Sequence, residues 1–291
     1  MTEGFYTSDA VRKMVKTDIS RKLRDGSLDV PTLPQVANQV LALVNRPDVT
    51  AKDLEAVISH DQKLAARLIK VANSPVYGGV AKITSIQRAV VTIGLRSLQE
   101  MVFSIAMGEK IFHSKTFAKY MEHLWHHSLA VGFIAREIAR LKSLDSEYAF
   151  LCGMLHDVGK PILLNSMESL SRKKRDRFYF TNELVDEILH DFHEQVGGLV
   201  ATSWRFPDLL KGAIRHHHDY GDAGAVQQMA LLTHVANLFA HAFGFGSYAD
   251  DYPVNLNNER PLYELNLFPD EVQNLRETLP AKVQQAIDDF K

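Results

Sequence analysis

The chain has 291 residues, of which 46% are hydrophobic and 23% are charged, a mixture typical of a folded globular protein. Its formal net charge of -2 at pH 7 gives no excess that would favour nucleic acid or an acidic membrane surface as a partner. One cysteine, Cys152, excludes a disulfide framework and is typical of a protein from a reducing compartment.

The first residues, Met1–Tyr6, carry neither a basic segment nor an apolar run of the kind found in secretory signals. No apolar stretch in the chain reaches the ~20 residues that a membrane span needs. The sequence therefore predicts a cytoplasmic protein that binds neither membrane nor nucleic acid.

Five helices are predicted in the first third of the chain, because apolar residues between Val36 and Ala106 recur at spacings of three and four. Thr50 and Ser85 are the expected N-caps of the second and fourth helices. Asn73 is expected to end the third helix. No sustained period of two is present, which predicts an all-α fold.

A second helical block begins near Phe117, and a more polar, linker-like stretch follows Gly244. The predicted helices of this block are 124–141, 146–155, 184–203, 209–217 and 225–243. A last amphipathic helix is predicted over 269–290. These patterns divide the chain into an N-terminal helical lobe (1–115), a second helical lobe (116–245), and a linker with a helical tail (246–291).

Twelve of the 13 histidines lie between His113 and His241, and the most informative group is His156-Asp157 at the end of an apolar helix. An imidazole and a carboxylate at a helix end can approach the same ion, and the two oxygens of the carboxylate could also bridge two ions. Lys160 would then lie close to any anionic group bound at the ion. Imidazoles combined with one carboxylate suit Fe, Mn, Zn or Ni better than Mg or Ca.

Other histidine groups supply candidate partners, namely His126-His127, His193, His216–His218, and a helix face with His234, Asn237 and His241. The competing interpretation is that such residues are ordinary core, rim or helix-end side chains. We favour that interpretation for His60, His113, His123 and His190, and a flanking role for His126 and His216. Cys152, Trp125 and Trp204 are predicted to be core residues.

Several motifs, taken together, resemble the HDOD domain, the HD-related output domain of bacterial signalling proteins. They are Leu33-Pro34-Gln35-Val36, Ile58-Ser59-His60-Asp61, Ala72-Asn73-Ser74-Pro75-Val76-Tyr77-Gly78, Leu124-Trp125-x-His127-Ser128, His156-Asp157-Val158-Gly159-Lys160, His193-Glu194-x-x-Gly197 and His217-His218. The resemblance covers residues 25–243 and extends to the wider HD superfamily of metal-dependent phosphohydrolases. It implies an N-terminal lobe packed on an HD-like lobe, with an ion site between helices of the latter.

The resemblance also implies roles for individual residues. The positions that match metal ligands are His127, His156, Asp157, His193, His217 and His218, with Asp157 as the bridging carboxylate. Lys160 matches a lysine that contacts phosphate. One or two transition-metal ions per chain are therefore expected, together with a possible phosphoester ligand.

Two departures from the pattern of catalytic relatives bear on activity. Asn237 stands where those relatives have an aspartate, and a neutral amide binds a cation more weakly. No Gly-Tyr-Pro motif follows His217-His218, so hydrolysis of cyclic-di-GMP is not expected.

Two functions remain open at this point. The first is a signalling module without required turnover, which presents apolar grooves to an unknown signalling partner or to a second copy of itself. The alternative is an active metal-dependent phosphohydrolase or phosphodiesterase acting on a nucleotide or another phosphoester.

Overall fold

The structure is a computed structural model that describes residues 8–44, 46, 48–59, 61–74, 77, 82–174, 180–246, 254–256 and 259–290. Parts of the sequence motifs, including His60, Pro75, Val76 and Gly78, lie outside the described residues, as do positions 247–253 of the predicted linker.

Fourteen α-helices and no β-strand are present in these ranges, which confirms the predicted all-α class. In chain order they are α1 Ser8–Asp25, α2 Gln35–Val44, α3 Ala51–Ile58, α4 Gln62–Ala72, α5 Ile86–Ile93, α6 Leu95–Lys110, α7 Ala118–Leu141, α8 Ser146–Leu155, α9 Gly159–Lys174, α10 Asn182–Ser203, α11 Asp208–His216, α12 Gln227–Ala242, α13 Arg260–Glu264 and α14 Pro269–Asp289.

Side-chain caps begin the early helices where the sequence predicts them. Thr50 forms a capping box with Asp53 at the start of α3, so that two backbone N–H groups are satisfied reciprocally. Ser85 Oγ accepts a hydrogen bond from the Arg88 backbone N–H at the start of α5. Asn73 ends α4 and ties it to the segment before α5, because its side chain bonds both Ile83 N–H and Ile83 C=O.

Helices α2–α6 pack on one another, and helices α7–α12 form a second group in which α7 lies against α8 and α12, and α9 against α10. Contacts between α6 and α8 join the two groups. Helix α1 packs on α9 and α10, where Arg12 pairs with Glu187 at 2.9 Å and Lys16 with Asp191 at 2.7 Å. The division of the chain at residues 115 and 245 stays a prediction.

A buried ion pair links α6 to α7. Arg136 Nη1 lies 2.7 Å from Glu100 Oε2, and the two residues are 7% and 6% exposed. Burial raises the pKa of the Glu100 carboxyl although the Arg136 guanidinium opposes the shift. Arg136 has one further acidic partner, Glu137, whose Oε1 lies 3.3 Å from Arg136 Nε, so loss of Glu100 would leave the buried guanidinium with only this longer contact.

Glu168 on α9 anchors the segment that precedes α7. Its carboxylate accepts hydrogen bonds from Ser114 Oγ and Thr116 Oγ1, each at 2.8 Å, and from Arg172 Nη2 at 2.6 Å. Burial alone would raise the pKa of Glu168, but these hydrogen bonds outweigh it and hold the pKa below its usual value.

Helix α14 packs on α7 and leads to Phe290, which is 1% exposed. The Phe290 ring centroid lies 6.5 Å from that of Trp125 and 6.2 Å from that of Phe133. Arg67 of α4 donates a hydrogen bond to the Phe290 carbonyl. The end of α14 therefore contacts both groups of helices.

Cys152 and Trp204 are buried, as predicted, and burial raises the pKa of the Cys152 thiol.

Among the helices of the described ranges, none taken singly is both long and apolar enough to cross a membrane. Helices α5 and α6 reach the length and apolar composition of a membrane span only when they are counted together, and the chain bends by 120° between Ile93 and Leu95.

Candidate metal centre

Four helices and a turn bring the predicted site residues to one place. His127 lies on α7, and the turn after α8 carries His156 and Asp157. The remaining members are Lys160 on α9, His193 on α10, and His217-His218 at the end of α11. Every residue of α8 from Ala149 to Leu155 is buried, so this helix leads His156 and Asp157 into the interior.

Asp157 occupies the middle of the cluster and is 2% exposed. On one side, its Oδ2 lies 3.3 Å from His156 Nε2 and 3.6 Å from His127 Nε2. Lys160 Nζ is 2.7 Å from the same oxygen. Donor atoms of His127, His156 and Asp157 all fall within 4.8 Å of one another, and we call this trio subsite 1.

On the other side, Asp157 Oδ1 lies 3.6 Å from His193 Nε2 and 3.7 Å from His217 Nε2. His193, His217 and His218 form a second trio of donors within 4.8 Å of one another, here called subsite 2. One carboxylate thus faces two groups of imidazoles with different oxygens, which is the arrangement of a bridging ligand.

Backbone carbonyls fix the tautomers of four rings. A carbonyl oxygen only accepts hydrogen bonds, so a ring Nδ1 beside it must carry a proton, and in the neutral ring Nε2 then keeps its lone pair. His127 Nδ1 donates to Phe245 O at 2.7 Å, and the corresponding bonds of His156, His193 and His217 go to the carbonyls of Gly153, Leu189 and Ile214 at 2.7, 2.9 and 2.9 Å. The Nε2 lone pairs consequently point at one another.

The Nε2 atoms face each other in pairs. Two unprotonated nitrogens do not stabilise each other, because both are acceptors and neither offers a proton. The separations are 3.3 Å for His127–His156, 3.3 Å for His193–His217 and 3.2 Å for His193–His218. Two nitrogens held ~2.05 Å from one tetrahedral ion lie ~3.3 Å apart. The donor spacing and chemistry are therefore compatible with metal binding at this cluster.

The electrostatics keep His127, His217 and His218 neutral and Asp157 ionised. Burial, followed by the neighbouring imidazoles, lowers the pKa of His127 and of His218 to about 3, and lowers that of His217 well below its usual value. Burial would raise the pKa of Asp157, but His156 and Lys160 outweigh it and hold that pKa well below the usual range. Neutral imidazole and ionised carboxylate are the forms that bind a metal.

Asn237 and His241 lie on α12, which packs on α7 and α8. Asn237 is 5% exposed, and its Oδ1 accepts no hydrogen bond from the described residues. The ring of His241 has its centroid 5.3 Å from that of His127. A buried amide oxygen without a hydrogen-bond donor is expected at a position that serves as a weak cation ligand.

A close backbone approach sets the position of His193. A β-carbon on Gly159, the first residue of α9, would overlap the His193 carbonyl oxygen and lie 2.7 Å from Gly197 N. A β-carbon on Gly197 would in turn lie 2.9 Å from Ile214 of α11. Glycines at these two positions allow α9, α10 and α11 to approach closely enough for their histidines to meet.

Sequence reasoning missed two supporting contacts. His234 Nδ1 donates to the His217 carbonyl at 2.7 Å, so this histidine supports subsite 2. Glu194 Oε1 accepts a hydrogen bond from the His218 backbone N–H at 3.3 Å. In the sequence, Glu194 stood out only as the neighbour of His193 in the His193-Glu194-x-x-Gly197 motif. Neither donor trio contains the exposed His113, His123 and His190 or the partly buried His126 and His216.

An all-helical body with histidines and an aspartate gathered between its helices agrees with the resemblance to the HD superfamily. The family model of the HDOD domain matches residues 30–220. The chain therefore belongs to the HDOD domain family.

Comparisons with known proteins give the same fold. A crystal structure of an HDOD domain protein with unknown function from Geobacter sulfurreducens is 22% identical, with a TM-score of 0.73 over 98% of this chain and 99% of that one. An uncharacterized protein of Treponema pallidum is 27% identical over 209 residues, and ribonuclease Y of Mycoplasma genitalium is 30% identical over 98 residues. The matches span 70% and 34% of this chain, but only 40% and 16% of those two proteins.

Proposed function

We propose that this chain is a regulatory HDOD module of bacterial signal transduction with a retained HD-type metal centre. The observation that carries the proposal is the set of imidazole Nε2 atoms that converge on the two oxygens of Asp157. The centre would take one or two transition-metal ions per chain, Fe, Mn, Zn or Ni.

The residues divide between the two subsites. His127 and His156 would hold one ion with Asp157 Oδ2, while His193, His217 and His218 would hold the other with Oδ1. The backbone carbonyls that bind the Nδ1 atoms keep each ring oriented and its Nε2 unprotonated. When bound, such ions supply a Lewis acid and activate a water molecule near neutral pH.

Metal analysis of freshly purified protein tests the proposal. We expect one or two transition-metal ions per chain, with occupancy lost in His156→Ala and Asp157→Ala. His123→Ala is the matched control, because His123 is an exposed histidine outside both donor trios. Wild-type protein without metal, or variants that retain full occupancy, would contradict the proposed centre.

Asn237→Asp tests whether α12 contributes to subsite 1. If position 237 is a ligand position, a carboxylate there would supply a charged donor in place of a neutral amide, so the variant should bind Mn or Zn at least tenfold more tightly. Unchanged affinity, measured by competition with a fluorescent chelator, would show that position 237 is not a ligand position.

The alternative function is turnover by the same centre as a phosphohydrolase or phosphodiesterase. Lys160 favours it, since its buried ammonium lies 2.7 Å from Asp157, where it could donate a hydrogen bond to a phosphoester oxygen. The similarity to a ribonuclease, although confined to 98 residues, agrees with phosphodiester chemistry.

Phosphate release from a panel of nucleotides and phosphodiesters, loaded with Mn or Fe, tests the alternative. Activity that disappears in Asp157→Ala and falls at least 100-fold in Lys160→Ala would support it. Activity that persists in Asp157→Ala would belong to a contaminant.

The partners and location belong to the proposal as well. We infer a cytoplasmic module whose partner is a signalling protein or a second copy of the chain, with a phosphoester as a possible ligand and no membrane or nucleic acid. Crosslinking and size-exclusion chromatography of the purified protein would test self-association directly.

A further inference from the structure

A groove of about 500 Å³ lies between α7 and α14, away from the metal centre. We call it the α7–α14 groove. Its lining residues are Phe133, Arg136, Glu137, Arg140, Leu279, Ala281, Lys282, Val283, Gln285 and Ala286. None of them belongs to either donor trio, and the volume falls within the ~300–1,000 Å³ typical of small-molecule sites.

The groove has an apolar base and a basic rim. Phe133, Leu279 and Val283 are buried residues that supply apolar surface. Three basic residues, Arg136, Arg140 and Lys282, line the groove against a single acidic one, Glu137.

Ion pairs account for part of this charge. Arg136 pairs with Glu100, which lies behind the lining, and with Glu137 at 3.3 Å, and Arg140 pairs with Glu137 at 2.8 Å. Lys282 is exposed, and its ammonium carries the positive charge that remains once these ion pairs are counted. An apolar base with net positive charge at the rim suits an anion attached to an aromatic or aliphatic body.

A second groove provides an internal comparison. It has a similar volume of about 540 Å³ and lies between the segment 31–36 and the helices α4 and α6. Its lining contains two acidic residues, Asp61 and Glu109, and one basic residue, Lys110. The two grooves therefore match in size and differ in the sign of their lining charge.

We propose that the α7–α14 groove is a binding site for a small organic anion with an aromatic or apolar body, comparable in size to a nucleoside monophosphate. The site is independent of the metal centre, because no donor residue lines it. Charge complementarity selects the anion, and contact of the apolar body with the groove lining provides the remaining affinity.

Fluorescence titration with 8-anilinonaphthalene-1-sulfonate tests the site, because this probe joins an aromatic body to a fixed negative charge. Lys282→Glu reverses the rim charge, and Ala281→Trp blocks the groove from an exposed position. Lys110→Glu makes the same charge change at the comparison groove. Circular dichroism establishes that each variant is folded.

We expect the affinity for the probe to fall at least fivefold in Lys282→Glu and in Ala281→Trp, and to change less than twofold in Lys110→Glu. The uncharged analogue N-phenyl-1-naphthylamine should bind at least fivefold more weakly than the sulfonate and should not respond to Lys282→Glu. Equal binding of the sulfonate by wild type and both groove variants would overturn the proposal. So would equal affinities for the charged and uncharged probes.

Discussion

Gly159→Ala should separate α9 from α10 and disturb subsite 2. The new β-carbon would overlap the His193 carbonyl oxygen and would lie 2.7 Å from Gly197 N and 3.0 Å from His193 C. Carbon atoms in contact prefer separations of ~3.5–4.0 Å, so the two backbones must move apart by about 1 Å. No rotamer change can relieve the overlap, because all of these atoms belong to the backbone.

The expected loss in free energy of unfolding is about 1–3 kcal/mol, the range for overpacked interiors. A shift of this size at His193 also exceeds the ~0.2 Å tolerance of metal–ligand distances, so subsite 2 should lose affinity. Urea unfolding of the metal-free protein measures the first effect, and metal content after dialysis against dilute ZnCl2 measures the second.

Gly198→Ala is the matched control on α10, the helix that carries His193. Its β-carbon would meet only the Arg215 side chain, at 3.6 Å or more, which is ordinary contact. Alanine within a helix is more stable than glycine by ~0.5–1 kcal/mol, so this variant should gain stability and keep its metal. If Gly159→Ala unfolded at the wild-type urea concentration and bound Zn normally, the argument from close approach would be refuted.

Three further predictions concern stability. Glu100→Ala should lower the free energy of unfolding by about 3–5 kcal/mol because it leaves the buried Arg136 with only its longer, 3.3 Å pair to Glu137, and replacing both Glu100 and Arg136 by Met should cost less. A double variant less stable than Glu100→Ala would contradict this. Glu168→Gln should cost about 1–3 kcal/mol at pH 7. Because the folded pKa of Glu168 is held below the usual 4.5, its contribution is present above that pH and is lost as the pH falls through the folded pKa. The difference in urea midpoint between wild type and variant should therefore narrow below pH 4.5, and a constant difference down to pH 3 would count against the assigned hydrogen bonds. Phe290→Ala should cost about 3–5 kcal/mol, whereas the exposed Asp288→Ala should change the melting temperature little.

Helix positions were predictable wherever apolar periodicity and end signals agreed. Helix α8 spans Ser146–Leu155 as predicted, since Asp145 caps its start and the turn at His156-Asp157 ends it. Helix α7 begins at Ala118 rather than near residue 124. Phe117 at its N-cap makes no side-chain capping bond, so the sequence contains no local signal for this start.

The site was predictable as a set of residues but not as a geometry. Adjacent placement of His156 and Asp157 at a helix end is visible in the sequence. The two-sided arrangement around Asp157 depends on how α10 and α11 cross, which Gly197 and Ile214 determine by contact. The acceptor for His127 is a backbone carbonyl, and a backbone group leaves no trace in residue identity.

The contacts of Phe290 have a consequence for the order of folding. Trp125 and Phe133, which contact the Phe290 ring, are more than 150 residues away from it in the sequence. Arg67, which bonds the Phe290 carbonyl, is 223 residues away. Long-range contacts form slowly because a large loop must close first. During synthesis, the apolar face of α7 would remain uncovered until α14 leaves the ribosome, so the nascent chain should depend on chaperones most at that stage.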